Sequence, residues 1–85
     1  MKSFTYTIKD SLGIHARPAG LLSKTARAYS AKCTLQMGDT RIDLTKLMAL
    51  MTLGVTFGTT VTVTADGEDE DTAIAALLSF FSANL

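Results

Sequence analysis

The stretch "TTVTVTA", residues 59–65, alternates threonine with a small or β-branched apolar residue. Successive side chains of a strand point to opposite faces, so Val61, Val63 and Ala65 share one face and the threonines the other. A strand of this kind has one side in a core and one in water. Three further segments carry the same period. "SFTYTIK" (3–9) sends Phe4, Tyr6 and Ile8 one way and Thr5 and Thr7 the other. "KCTLQM" (32–37) turns Cys33, Leu35 and Met37 inward, and "TRIDL" (40–44) returns with Ile42 and Leu44 inward. Gly38-Asp39 between them suits a two-residue hairpin turn with glycine first.

Between the strands the period changes. A helix is expected from Ala16 to about Tyr29, because Ala19, Leu22, Ala26 and Tyr29 form one apolar stripe. Arg17, Gly20, Lys24 and Arg27 form a basic face nearly opposite it. A short helix over "KLMALMTL" (46–53) should stop at Gly54, a natural C-terminal cap. The acids of "EDED" (68–71) favour a helix start. The helix after them carries Ile74, Leu77, Leu78 and Phe81 at i, i+3, i+4 and i+7. The order is β-α-β-β-α-β-α. One layer of helices over one face of the sheet satisfies every strand, an open-faced β-sandwich of the α+β class. Residues 1–85 read as a single domain.

Composition narrows the function. A chain of 85 residues buries somewhat over ~60% of its unfolded surface in one modest core. Eight basic and eight acidic residues cancel, so no nucleic-acid footprint is indicated. No apolar run approaches the roughly 20 residues of a membrane span, and no signal-peptide core is present, so no membrane insertion is expected. One cysteine allows no internal disulfide, which reads as cytoplasmic. One His and one Cys do not make an ordinary zinc site, so no metal is expected.

The chemistry concentrates in "LGIHARPAG" (12–20), which holds the only histidine and the only proline. With His15 just before the first helical turn, it lies beside backbone N–H groups that lack intrahelical partners. The helix dipole adds roughly half a positive charge there. Pro18 gives up an N–H that had no such partner, and its fixed φ suits helix entry. Ala16 and Arg17 keep theirs, and Arg17 adds a fork of donors matched to phosphate oxygens. The result is an anion site with a nucleophile at its rim, because an imidazole with one unprotonated nitrogen attacks phosphorus. Spacing alone leaves three roles open for His15: covalent phosphoryl carriage, a phosphate pocket without covalent chemistry, and an ordinary surface histidine.

In the second helix Leu50 and Leu53 share one side, and Leu47, Met48 and Met51 share another. A short helix in a single layer cannot bury both, so the Leu47–Met48–Met51 side is expected to be exposed for partner docking. A fully buried helix and a dimer contact are the alternatives. Cys33 reads as a core residue. The line of Arg17, Lys24 and Arg27 with His15 suits an acidic protein partner.

"GIHARPAG", then "LMALMTLGV" and "GEDEDTAIAALLSFF", resemble the HPr family, the histidine phosphocarriers of the bacterial sugar phosphotransferase system, over essentially the whole chain. The resemblance implies a four-stranded antiparallel sheet with three helices on one face. It implies that enzyme I, charged from phosphoenolpyruvate, phosphorylates His15 on Nδ1, and that His15 passes the group to the IIA domain of a sugar permease. Arg17 then helps bind and release the phosphoryl group, with the Ala16 amide beside it, and Pro18 shapes the turn. Gly20, Lys24, Arg27, Lys46, Leu47, Met48 and Met51 form the docking surface. No cofactor is implied, a monomer is the simplest state, and the protein is a covalent relay rather than a stand-alone enzyme. One departure stands out. Where many relatives open the second helix with a serine phosphorylated by HPr kinase/phosphorylase, this chain has Lys46, with Thr45 before it. That puts the kinase in doubt as a partner and leaves Thr45 as the one remaining hydroxyl. Two other readings stay open: a regulatory docking module of the same fold, and a relay in nitrogen or other metabolism.

Overall fold

Val61, Val63 and Ala65 are buried, and the threonines between them are half-buried on the opposite face. Their strand is the axis of the fold. In the computed structural model, which describes residues 1–85, the order is β1 (Lys2–Thr7), α1 (Ala16–Arg27), β2 (Lys32–Met37), β3 (Thr40–Asp43), α2 (Leu47–Leu53), β4 (Thr60–Asp66) and α3 (Glu70–Asn84). The sheet runs β1-β4-β2-β3, with every pairing antiparallel. Phe4 lies opposite Val63 and Leu35 lies on its other flank, so one row of the inner face is apolar across three strands. The same register sets Thr5 against Thr62 and Thr34 against Thr64 on the open face. Threonines paired in this way tolerate water and still favour the extended backbone.

The hairpin between β2 and β3 closes through Gly38 at φ 59, with Met37 opposite Thr40. A positive φ at the first turn residue only is what a glycine-first two-residue turn needs.

The helices cover the inner face. From α1, Ala19, Leu22, Ser23 and Ala26 are buried; from α3, Ala73, Leu77 and Phe81. The Phe81 ring meets Phe4 and Tyr6 edge to face, with centroids 5.6 and 5.4 Å apart. These contacts fasten α3 across β1. Leu50 is the buried residue of α2, which ends at Gly54 in the left-handed conformation.

Three details depart from the periodicity. Helix α1 ends at Arg27 rather than Tyr29, which lies half-buried beyond the Ala28 cap. Beyond it, the Asp69 carboxylate accepts the amides of Ser30 and Ala31 at 2.9 and 2.7 Å and draws the chain toward β2. The stripe of α3 steps by four through Ala73, Leu77 and Phe81, so Leu78 turns outward and is 43% exposed. Leu47 is half-buried against the core instead of exposed beside Met48.

Candidate functional site

His15 is the N-cap residue of α1, with extended backbone (φ −99, ψ −174) and a side chain that makes no capping hydrogen bond. Its carbonyl accepts the first helical amide, that of Ala19, at 2.9 Å. The amides of Ala16 and Arg17 come before that bond and so have no intrahelical acceptor. The side chains of His15, Ala16 and Arg17 are exposed, while Ile14 before them and Pro18 and Ala19 after them are buried. Burial on both sides holds the three-residue crest in place and leaves it in solvent.

The approach to the crest is fixed from below. The amide of Ile14 donates to the carbonyl of Val55 at 3.0 Å. Gly13, at φ +66, lies so close that a Cβ there would sit 2.3 Å from that carbonyl oxygen. One turn earlier, Asp10 accepts the Leu12 amide on its side chain (2.8 Å) and the Gly13 amide on its carbonyl (3.0 Å). The amides of Lys9 and Asp10 in turn donate to the main-chain oxygen of Leu85, which binds the end of α3 to the same turn.

A hollow of 210 Å³ results, lined by Asp10, His15, Arg17, Pro18, Leu21 and Asn84. It gathers an imidazole, a guanidinium, a carboxylate and a primary amide around the start of a helix. Arg17 is in no ion pair; the ion pairs lie at the other end of the strands, where the Met1 ammonium meets Glu70 at 2.8 Å and Lys2 meets Asp71 at 3.6 Å. The guanidinium is thus free for an anion brought to the hollow.

The docking residues sort less evenly. Lys24 and Arg27 are exposed on α1, and Gly20, about one turn before Lys24, is half-buried. Arg27 Nη1 reaches the Thr45 carbonyl at 3.4 Å, which joins the basic face of α1 to the entry of α2. At that entry Lys46 is the N-cap, exposed, with Met48 at 71% and Met51 at 41% exposure beyond it. Thr45 is occupied: its hydroxyl donates to the Asp43 carboxylate at 2.7 Å and its amide to the same oxygen at 2.9 Å. The two bonds from Thr45 hold the Asp43 carboxyl below the usual carboxylate range.

Residue pattern missed several parts of this site. Gly13 and Val55 form a clamp across 42 positions that no period encodes. Asp10 and Asn84 reach the hollow from a turn and from a helix end. Leu12 and Phe57 stand exposed on the two loops that the Gly13 contact joins. The only local signal was "DSLG", whose Asp two residues before a leucine amide suits an Asx turn.

With this geometry in hand, known proteins supply the context. The family described as "PTS HPr component phosphorylation site" matches residues 2–83. The phosphocarrier protein HPr of Mycoplasma capricolum is 38% identical over 77 residues, which cover 91% of this chain and 86% of that one. The crystal structure of HPr-C-His from Thermoanaerobacter tengcongensis superposes with a TM-score of 0.93 at 36% identity, over 98% of this chain and 93% of that chain. An HPr dimer from the same organism superposes at 0.78 and 36% identity, over 98% and 95% of the two chains. No helix here is long and apolar enough to cross a membrane.

Proposed function

The chain belongs to the HPr family of phosphotransferase-system phosphocarriers, and from that premise we propose that His15 is the residue that takes up and surrenders the phosphoryl group. The observation that carries this reading is an exposed imidazole at the N-cap of α1, beside two unpartnered amides and an unpaired guanidinium.

The donor is phospho-enzyme I. A ring nitrogen of His15, Nδ1 by family analogy, gives its lone pair to phosphorus. The donor's N–P bond breaks and its electron pair returns to the donor imidazole. In the second half-reaction a IIA domain takes the phosphoryl group by the same exchange, and His15 is restored. The loaded ring carries about two negative charges. Arg17 and the amides of Ala16 and Arg17 offset part of that charge as it arrives, while Pro18 keeps the crest in helical register. The offset is partial because a carrier that holds its load too firmly is stranded.

Both partners dock over the exposed face of α1 and α2. Lys24, Arg27 and Lys46 steer acidic surfaces, and Met48 and Met51 repack against different partners. Gly20 lets a partner approach the helix backbone, and Leu47, half-buried against the core, lends its exposed part to the same face. The protein acts as a monomer in the cytoplasm and completes no turnover alone, and Lys46 at the place of the usual serine argues against HPr kinase/phosphorylase as a partner.

Incubation with enzyme I and phosphoenolpyruvate tests this. One phosphate per chain, acid-labile and base-stable, is expected, and none on His15→Ala. Label persisting on that variant would assign the chemistry to another residue.

A further inference from the structure

Asp10 is the one carboxylate side chain among the residues lining the hollow that holds His15 and Arg17. Building on the reading of His15 as the carrier, we propose that Asp10 is a positioning charge that opposes the loaded state and keeps the phosphoryl group transferable.

Its placement leaves it little freedom. The residue is half-buried, and its carboxylate accepts the Leu12 amide at 2.8 Å. The Asp10 carbonyl holds the Gly13 amide at 3.0 Å, and its own amide donates to the main-chain oxygen of Leu85 at 2.8 Å. Swinging the carboxylate out to solvent costs the bond from the Leu12 amide, while the backbone bonds on either side keep the residue at the hollow. Nor is it neutralised from within, because Asp10 and Arg17 form no ion pair. The hollow therefore presents one positive and one negative side chain beside the imidazole before loading.

A phosphoryl group on His15 then adds about two negative charges. Arg17 attracts them and Asp10 repels them. Both line the same 210 Å³ hollow at the border of protein and water, where a neighbouring charge still changes an equilibrium several-fold. Arg17 alone would deepen the loaded state; Asp10 raises it again, so that the group passes forward to the next imidazole.

Asp10→Asn isolates the charge, since the asparagine oxygen still accepts the Leu12 amide and the turn survives. Asp39→Asn, at the β2–β3 turn, removes an equal charge outside the hollow. Two measurements are made on wild type and both variants. The first equilibrates each protein with enzyme I at a fixed ratio of phosphoenolpyruvate to pyruvate and reads the loaded fraction. The second titrates inorganic phosphate against the His15 ring resonances, with no enzyme I present. Asp10→Asn should raise the loading constant and tighten phosphate binding by about threefold or more, and the gap should close as salt is raised toward about 1 M, where the Debye length is about 3 Å. Asp39→Asn should follow wild type. Equal phosphate binding by wild type and Asp10→Asn, including none by either, overturns the proposal. So does a gap that salt leaves unchanged or that Asp39→Asn reproduces. A wild type that enzyme I does not load counts against His15 as carrier, while the phosphate titration still decides the role of Asp10.

Discussion

Gly13 meets the backbone of Val55 so closely that no side chain fits between them: an added Cβ would lie 2.3 Å from the Val55 oxygen and 2.7 Å from the Thr56 Cα. The contact sets the height of the turn that ends in His15. Gly13→Ala meets two penalties, a left-handed φ of +66 and a clash with backbone that cannot yield locally. The loss should be roughly 2 kcal/mol or more in urea unfolding, with phosphotransfer reduced beyond what the unfolded fraction explains. Gly20, with open space around its Cα, behaves oppositely: Gly20→Ala should gain about 0.5–1 kcal/mol from helix propensity. A Gly13→Ala protein as stable as the parent would show that the two loops separate easily.

Three carboxylates give the fold an acid limb. Asp43 is held low chiefly by the Thr45 hydroxyl, Asp69 by the Ser30 amide, and Glu70 by the N-terminal ammonium, which its carboxylate meets at 2.8 Å. Each has a folded pKa below its unfolded value. The stability each supplies is therefore present above the unfolded value of about 4 and is lost as pH falls through the lower folded value. Urea midpoints should stay level from neutral pH to about 5 and then decline steadily as acid is added. Asp43→Asn should start lower at neutral pH and show a shallower decline. An Asp43→Asn profile parallel to the parent's would remove Asp43 from this account.

How much of this was legible follows from what a period reports. Alternation names the face of a residue, and so the inward sets of all four strands and the hairpin turn at Gly38 follow from residue order alone. Gly54 declares a helix end locally, and His15, Arg17 and Pro18 declare a helix start. Leu78 misleads because a stripe of i, i+3, i+4 and i+7 is wider than the line on which α3 actually touches the sheet. Asp69 does more than its place in the sequence tells: it is the N-cap residue of a helix that starts among the acids of 68–71, yet its side chain makes no cap bond and binds amides 38 and 39 residues away. Asp10 and Asn84 join the His15 hollow only because β1 and α3 end at the same edge. Contacts of that kind come from chain topology, which short patterns do not contain.

Ser23 is fully buried on α1, and its hydroxyl has no partner. A buried hydroxyl left unsatisfied loses its hydration without compensation. Ser23→Ala removes the polar atom, leaves little space behind and improves helix propensity. A gain of roughly 1 kcal/mol is expected as a higher urea midpoint with unchanged slope. Destabilisation instead would mean that the hydroxyl finds a partner in solution, such as a bound water.

Thr45 tests whether the α2 entry can serve as a second phosphorylation site. Its hydroxyl donates to the Asp43 carboxylate at 2.7 Å, and the Asp43 carbonyl accepts the Lys46 amide at 3.0 Å, so the Asp43–Lys46 turn is closed on itself. A phosphoryl group on Thr45 would cost that hydroxyl bond and set a dianion against a carboxylate held in its charged form. Lys46 next to it offers one compensating charge, exposed and therefore weak. With HPr kinase and ATP, wild type should stay unlabelled. Lys46→Ser should become labelled at the substituted position only if the kinase also accepts the rest of this surface. Asp43→Asn, which lifts the repulsion, should admit label at Thr45 more readily than wild type does. Stoichiometric labelling of Thr45 in the unmodified protein would mean that this turn opens at little cost, and that regulation enters here through the threonine.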